Sequence, residues 1–194
     1  KQLGGTEEEV ERYLAAALAQ HERYAGPNRR HLVRRARELN LAMASHDDAT
    51  LAHVEEAVED GVAIAEFPTT LEAAAAAHDA GLAILMGAPN VVRGKSHSGN
   101  ISATDLVRAN LLDILSSDYV PFALLQAAFI LPQRVEGLAL PAALATVTRN
   151  PARAAGLDDR GEIAIGKRAD LVRVEVIDGL PVVRGVWRQG MRVS

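Results

Sequence analysis

The residue types best suited to chemistry in this chain sit at the ends of short apolar runs. LAMASHDD delivers His46, Asp47 and Asp48, VAIAEFPTT delivers Glu66, LAILMGAPN leads into Pro89 and Asn90, and DILSSDYVP delivers Ser116, Ser117 and Asp118. An imidazole and several carboxylates, with no cysteine anywhere in the chain, form a donor set for a hard or borderline divalent metal bound through nitrogen and oxygen. Asp48 and Asp118 also suit a plainer role, capping the helices that follow them.

A second cluster lies in GAPNVVRGKSHSGN, a loop too long and too rich in donors to serve only as a connector. Arg93, Lys95, Ser96, His97, Ser98 and Asn100, with the amides of Gly94 and Gly99, suit the binding of a polyanion. Gly94-Lys95-Ser96 hints at a nucleotide-binding loop, but that pattern needs glycine where this chain has Pro89, so phosphate binding is kept and an NTPase is rejected. His21, His31, His53 and His78 fall in helical stretches and read as surface or locally satisfied side chains. Tyr119, Trp187 and the phenylalanines read as core or rim packing. Neither a Gly-x-Ser-x-Gly elbow nor a dinucleotide fingerprint occurs, which removes serine-esterase and nicotinamide chemistry.

The elements that must position these residues follow from periodicity. Each of the four apolar runs lacks polar alternation, as strands covered on both faces do, and each is followed by a helical stretch. ATLAHVEEAVEDG and LEAAAAAHDAG end in Gly61 and Gly81, as helix C-termini prefer, so the middle of the chain reads as a parallel βαβαβαβ array. In such arrays functional residues project from the carboxyl ends of the strands, where the unusual polar residues stand. Upstream, Thr6 and Glu9 form a capping box for a first helix running to about Gly26-Pro27, and NRRHLVRRARELN gives a second helix capped by Asn28. Downstream, LPAALATVTRNPARAAGL suits one or two short helices, and the segment from Gly161 to Ser194 suits a small separate sheet with glycine turns.

Composition narrows the function classes. The 194 residues carry 21 basic and 25 acidic side chains, a net charge of -4, which argues against sequence-independent nucleic-acid binding. No apolar run approaches the roughly 18 residues a membrane span needs, and KQLGGTEEE has no signal pattern, so a cytoplasmic protein is expected. An initiator methionine is also lacking, as in a fragment.

NPARAAGLDDRGEIAIGKRADLV resembles the C-terminal signature of the metal-dependent amidohydrolase superfamily, where the chain leaves a TIM barrel and returns to a small β-sandwich. ASHDDAT, IAEFPTT, MGAPNVVRGKSHSGN, LLDILSSDYVP and VWRQGMRV together resemble the phosphonate-metabolism diphosphatase branch of that superfamily, which belongs to the carbon-phosphorus lyase pathway. The implied fold is α/β: residues 1–150 as the C-terminal half of a (β/α)8 barrel and 151–194 as part of the β-sandwich. The implied reaction is metal-dependent hydrolysis of alpha-D-ribose 1-methylphosphonate 5-triphosphate to the 5-phosphate and pyrophosphate, using one or two zinc or manganese ions. By the resemblance, His46 is the strand-five metal ligand, and Asp118 is the strand-eight aspartate that binds metal and takes a proton from the attacking water. Glu66 stands where the superfamily commonly has a second histidine; His97 either supplies that nitrogen or donates to a phosphate oxygen. Arg93 and Lys95, by residue type, stabilise charge on the leaving pyrophosphate.

The family's strand-one His-x-His pair is not in the sequence, and four βα units are visible where a barrel needs eight. The expectation is therefore a C-terminal half that is inactive without its N-terminal partner, with open sheet edges prone to homo-oligomerisation. Two other readings stand beside the diphosphatase: an amidohydrolase acting on a cyclic amide or amine, and a non-catalytic scaffold.

Overall fold

A computed structural model of the protein describes residues 6–96 and 99–194. It falls into two compact units, Lys1–Leu41 and Ala42–Ser194. The first is built on one helix, α1 (Glu7–Glu38), opened by the expected capping box of Thr6 and Glu9. The sequence predicts two helices broken at Gly26-Pro27; instead the helix runs through Pro27. Proline adopts a helical φ, and the amide it lacks would have bonded Arg23 on an exposed turn that water reaches. The Ala-, Glu- and Arg-rich flanks have the propensity to carry the helix across.

The second unit opens with the parallel array. In chain order it contains β1 (Ala44–His46), α2 (Leu51–Glu59), β2 (Ile64–Glu66), α3 (Leu71–Asp79), β3 (Ala83–Gly87), α4 (Ala88–Arg93), α5 (Ala103–Arg108), β4 (Ile114–Ser116), α6 (Ala123–Arg134), α7 (Leu140–Ala145) and α8 (Arg149–Ala154). The strands pair in sequential order, all parallel, as in half of a (β/α)8 barrel. Helices α2 and α3 are capped by the hydroxyls of Thr50 and Thr70. They stop as expected at Gly61 and Gly81, whose φ of 71° and 85° suit glycine. Small side chains let helix and sheet approach closely: Ala57, Ala65, Ala73, Ala74 and Ala77 are fully buried, packed with Ile84, Val91, Leu106 and Leu131.

Two local expectations are corrected. The stretch after β3 is not wholly loop, because Pro89 in the first turn and left-handed Gly94 after the last frame the helix α4. Asp48 and Asp118 are not helix caps. Thr50 caps α2, Asp48 is buried and accepts the Ser45 hydroxyl at 2.5 Å, and α6 follows Phe122, which gives it no side-chain cap.

The chain ends in a small antiparallel sheet, β5 (Leu171–Ile177), β6 (Leu180–Arg188) and β7 (Met191–Arg192). Both of its hairpins turn on a pair of positive-φ residues, Asp178-Gly179 and Gln189-Gly190, the geometry that matches strand twist. The expected strand over GEIAIG does not form. Gly161 and Gly166 take φ of 94° and 85°, and Ile163 and Ile165 stand 88% and 107% exposed. An alternating pattern becomes a strand only where a neighbour pairs with it.

Candidate active site

Parallel register puts the first two candidates side by side. His46 ends β1, Glu66 ends β2, and the two are register partners. Their Nε2 and Oε2 atoms are 3.9 Å apart, too long for a hydrogen bond yet within the span that two ligands at about 2 Å each bridge through a common cation. The imidazole is held from two other directions: Nδ1 lies 3.2 Å from Asp47 Oδ2, and the Phe67 ring meets it edge-on at 5.3 Å. A carboxylate on Nδ1 fixes the ring and leaves Nε2 to face Glu66.

The backbone turns sharply as these strands end. Asp47, Phe67 and Asp118 have φ of 60°, 55° and 50°. Aspartate tolerates the left-handed region, but phenylalanine there is strained. The ladder holds it, since Asp47 N–H donates to the Glu66 carbonyl at 3.0 Å and Phe67 N–H to that of Leu85 at 2.9 Å.

Asp118 stands on the other side of the rim. It lies in a turn closed by a 3.0 Å bond from Val120 N–H to the Ser117 carbonyl, beside Gly87, whose register partner is Ser116. A Cβ at Gly87 would come within 3.3 Å of Asp118 Oδ2, so the missing side chain leaves room for the carboxylate. A cleft of about 160 Å³ opens here, and Asp47, Phe67, Gly87, Arg93, Asp118 and Tyr119 are among its lining residues.

Of the polyanion candidates, Arg93, Ser96 and Asn100 line this cleft. Lys95 is exposed and is not among its lining residues, while His97 and Ser98 lie outside the described residues. Both stems of the segment are tied down. Arg134, reaching from α6, donates to the carbonyl of Val91 and, at 3.1 Å, to that of Val92. Asn90 Oδ1 accepts the Ala103 amide at 3.0 Å, and Ile101 N–H donates to the Thr69 carbonyl at 3.1 Å.

Four residues have a part here that the sequence reading did not give them: Asp47, placed only among several strand-end carboxylates; Asn90, placed only at a strand end; Tyr119, read as core or rim packing; and Arg134, given no role. Tyr119 is not packing, since it is 61% exposed and accepts a hydrogen bond from the Arg93 guanidinium. The signal for Asp47 was its place next to His46; Arg134, 43 positions from the carbonyl it caps, offered none. The helical histidines behave as read: His53 Nδ1 accepts the Ala49 amide at 3.1 Å and His31 pairs with Arg34.

The donor set matches a divalent ion in kind: one imidazole nitrogen and carboxylate oxygens without sulfur. Its number is short of a closed site. Among the described residues no three histidine or acidic side chains converge as a metal-binding group, so His46 and Glu66 pair and Asp118 stands apart from them. No helix among the described residues is long and apolar enough to cross a membrane.

Comparison with known proteins adds the following. A family model described as "Amidohydrolase family" matches residues 11–193. The alpha-D-ribose 1-methylphosphonate 5-triphosphate diphosphatase of Escherichia coli strain K12 is 50% identical over 189 residues, covering 97% of this chain and 50% of that protein. The chain thus spans about half the length of that relative. Among solved structures, a crystal structure of an amidohydrolase superposes with a TM-score of 0.63 at 19% identity, covering 84% of this chain and 47% of that one. The ochratoxinase of A. niger superposes with a TM-score of 0.61 at 17% identity, covering 82% and 43%. These two likenesses speak to the fold.

Proposed function

The chain belongs to the amidohydrolase family, and from that premise we propose that it forms part of a metal-dependent hydrolase that cleaves alpha-D-ribose 1-methylphosphonate 5-triphosphate to the 5-phosphate and pyrophosphate in phosphonate catabolism. The observation that carries this reading is the 50% identity, along 97% of the chain, to the E. coli diphosphatase. The cleft supports it with a carboxylate, Asp118, on the same rim as a cation, Arg93.

His46 and Glu66 would hold a divalent ion, zinc or manganese, with Asp118 as a further ligand and the rest of the donor set coming from the complementary barrel half. Such an ion supplies Lewis acidity toward phosphoryl oxygens and makes water more acidic. Asp47 keeps the His46 imidazole oriented with Nε2 toward Glu66. A carboxylate oxygen of Asp118 takes the proton of the attacking water, a role that needs hydrogen-bond reach to that water. The leaving pyrophosphate gains negative charge as the anhydride bond breaks, and the Arg93 guanidinium stabilises it from the cleft wall. Lys95, exposed two residues beyond the end of α4, acts through longer-range attraction of the polyphosphate. Ser96 and Asn100 add neutral donors, and His97 and Ser98 belong to the same proposed segment.

The test is phosphorus NMR of the triphosphate incubated with zinc or manganese and a protein that contains this chain within the whole barrel. Pyrophosphate should appear, and its release should fall at least 100-fold in His46→Ala and Asp118→Ala, as for loss of groups acting on the reacting atoms. A metal-loaded protein containing the whole barrel that leaves the triphosphate intact overturns the proposal, and cyclic amides then become the substrates to try.

A further inference from the structure

The reading of Arg93 as a phosphate-binding residue leaves a question of entropy. An arginine on the surface of a cleft has many rotamers, and freezing them on binding is costly. Arg93 is the last residue of α4, next to a left-handed glycine, which by itself fixes little beyond the backbone. Its backbone is secured by Arg134, whose guanidinium holds the carbonyls of Val91 and Val92 at that helix end. Its side chain is secured from elsewhere. The Arg93 Nη2 group donates to the Tyr119 hydroxyl, and the guanidinium carbon lies 5.9 Å from the centroid of the Tyr119 ring.

We propose that Tyr119 is a positioning residue that pre-organises Arg93 for a pyrophosphate group bound in the cleft; the inference rests on the proposed role of Arg93. Three features point this way. Tyr119 is 61% exposed, so burial does not account for a tyrosine at this site. It follows Asp118 in the turn closed by Val120 and Ser117, so one tight turn sets both a carboxylate and the arginine's anchor. One guanidinium hydrogen on the hydroxyl leaves the other four of its five donors for phosphate oxygens, so the contact orients Arg93 without consuming it. Asp47 and Asp118 line the same cleft, and their charge opposes a bare polyanion, so magnesium belongs in the assay.

The experiment is calorimetric titration of the protein with inorganic pyrophosphate and magnesium, for wild type, Tyr119→Phe, Arg93→Ala and the double variant. Tyr119→Phe keeps the ring and removes the hydroxyl at an exposed position, so melting temperature serves as the control for folding. Pre-organisation predicts a Kd raised about 3–10-fold by Tyr119→Phe, the range for one lost side-chain hydrogen bond. It also predicts no further loss when the same change is made in Arg93→Ala. In turnover by a protein that contains the whole barrel, Tyr119→Phe should raise KM for the triphosphate by a larger factor than it lowers kcat. Unchanged or tighter pyrophosphate binding in Tyr119→Phe, an effect that persists without Arg93, or no binding by the wild type each overturns the inference. Coupled pyrophosphate binding by a protein that leaves the triphosphate intact upholds the role of Tyr119 while the proposed reaction fails.

Discussion

Glycine 87 shows how one absent side chain can carry a site. Its φ and ψ, -74° and 129°, are open to any residue, so the backbone does not require glycine there. What requires it is the neighbour. An added Cβ would stand 3.3 Å from Asp118 Oδ2 and 3.6 Å from the Pro89 ring, so the carboxylate must give by a few tenths of an ångström while the ring contact stays ordinary. Gly87→Ala should therefore separate stability from activity. Lower entropy of the unfolded chain adds about 0.4–1 kcal/mol, so the melting temperature should hold or rise. Displacement of Asp118 should cut pyrophosphate release by a protein that contains the whole barrel about tenfold, since small misplacements of reacting groups are costly. Thermal melts beside the phosphorus NMR assay check both, and a variant with full activity would show that Asp118 works from another position.

Elements bring these residues together, and their ends are where sequence was most and least informative. Thr70 ties two elements at once: its hydroxyl accepts the Ala73 amide at 3.1 Å as the cap of α3 and donates to the Ala49 carbonyl at 3.1 Å. Thr70→Ala should cost about 1–2 kcal/mol, read as a lower urea midpoint with an unchanged slope. At the start of α5, the Ser102 hydroxyl at 2.6 Å and the Arg108 guanidinium at 2.9 Å hold the Asp105 carboxyl below its ordinary value. A depressed folded-state pKa contributes stability above the ordinary aspartate range and loses it as pH falls through the lowered value. The side chain is exposed, so the contribution is small, but an NMR titration of the Asp105 carboxyl should show its midpoint rising in Ser102→Ala. The four βα units were legible because apolar runs and closing glycines are local signals, and register then follows once the strands are parallel, which set His46 against Glu66. The Thr50 cap and the Pro89-to-Gly94 frame of α4 were present as signals but outweighed by nearby Asp48 and by the donor-rich loop, and the Thr70 cap went unread. Helix α1 ran through Pro27 because propensity summed over many residues outweighed one breaker. The Arg134 clamp and the Arg93–Tyr119 contact had no local signal at all, since each joins residues more than 25 positions apart.

At the scale of the molecule, four parallel strands leave surface that a closed barrel would not. Strand β1 lies at one edge of the sheet and β4 at the other, where Leu115 N–H is covered by the Thr146 carbonyl at 2.9 Å. The small sheet exposes apolar side chains on its own account: Val172, Val176 and Val183 are 58%, 55% and 45% exposed. Exposed strands of this kind pair with other chains unless charge or proline blunts them. Some blunting is present, since Arg184 and Glu175 pair across β5 and β6 at 2.7 Å, but Val172 and Val176 fall on alternate positions of one strand and share a face. A polypeptide of these 194 residues should therefore self-associate reversibly, at a mass above 20.7 kDa by light scattering. Val172→Lys with Val176→Lys should return it toward the monomer mass without unfolding it, because both side chains already face solvent. The same polypeptide, with His46 and Glu66 paired and no third histidine or acidic side chain converging on them among the described residues, should bind zinc or manganese weakly and release no pyrophosphate. A monomer at every concentration would mean that these faces are covered in solution, and turnover by this polypeptide would mean that four βα units are enough for the reaction.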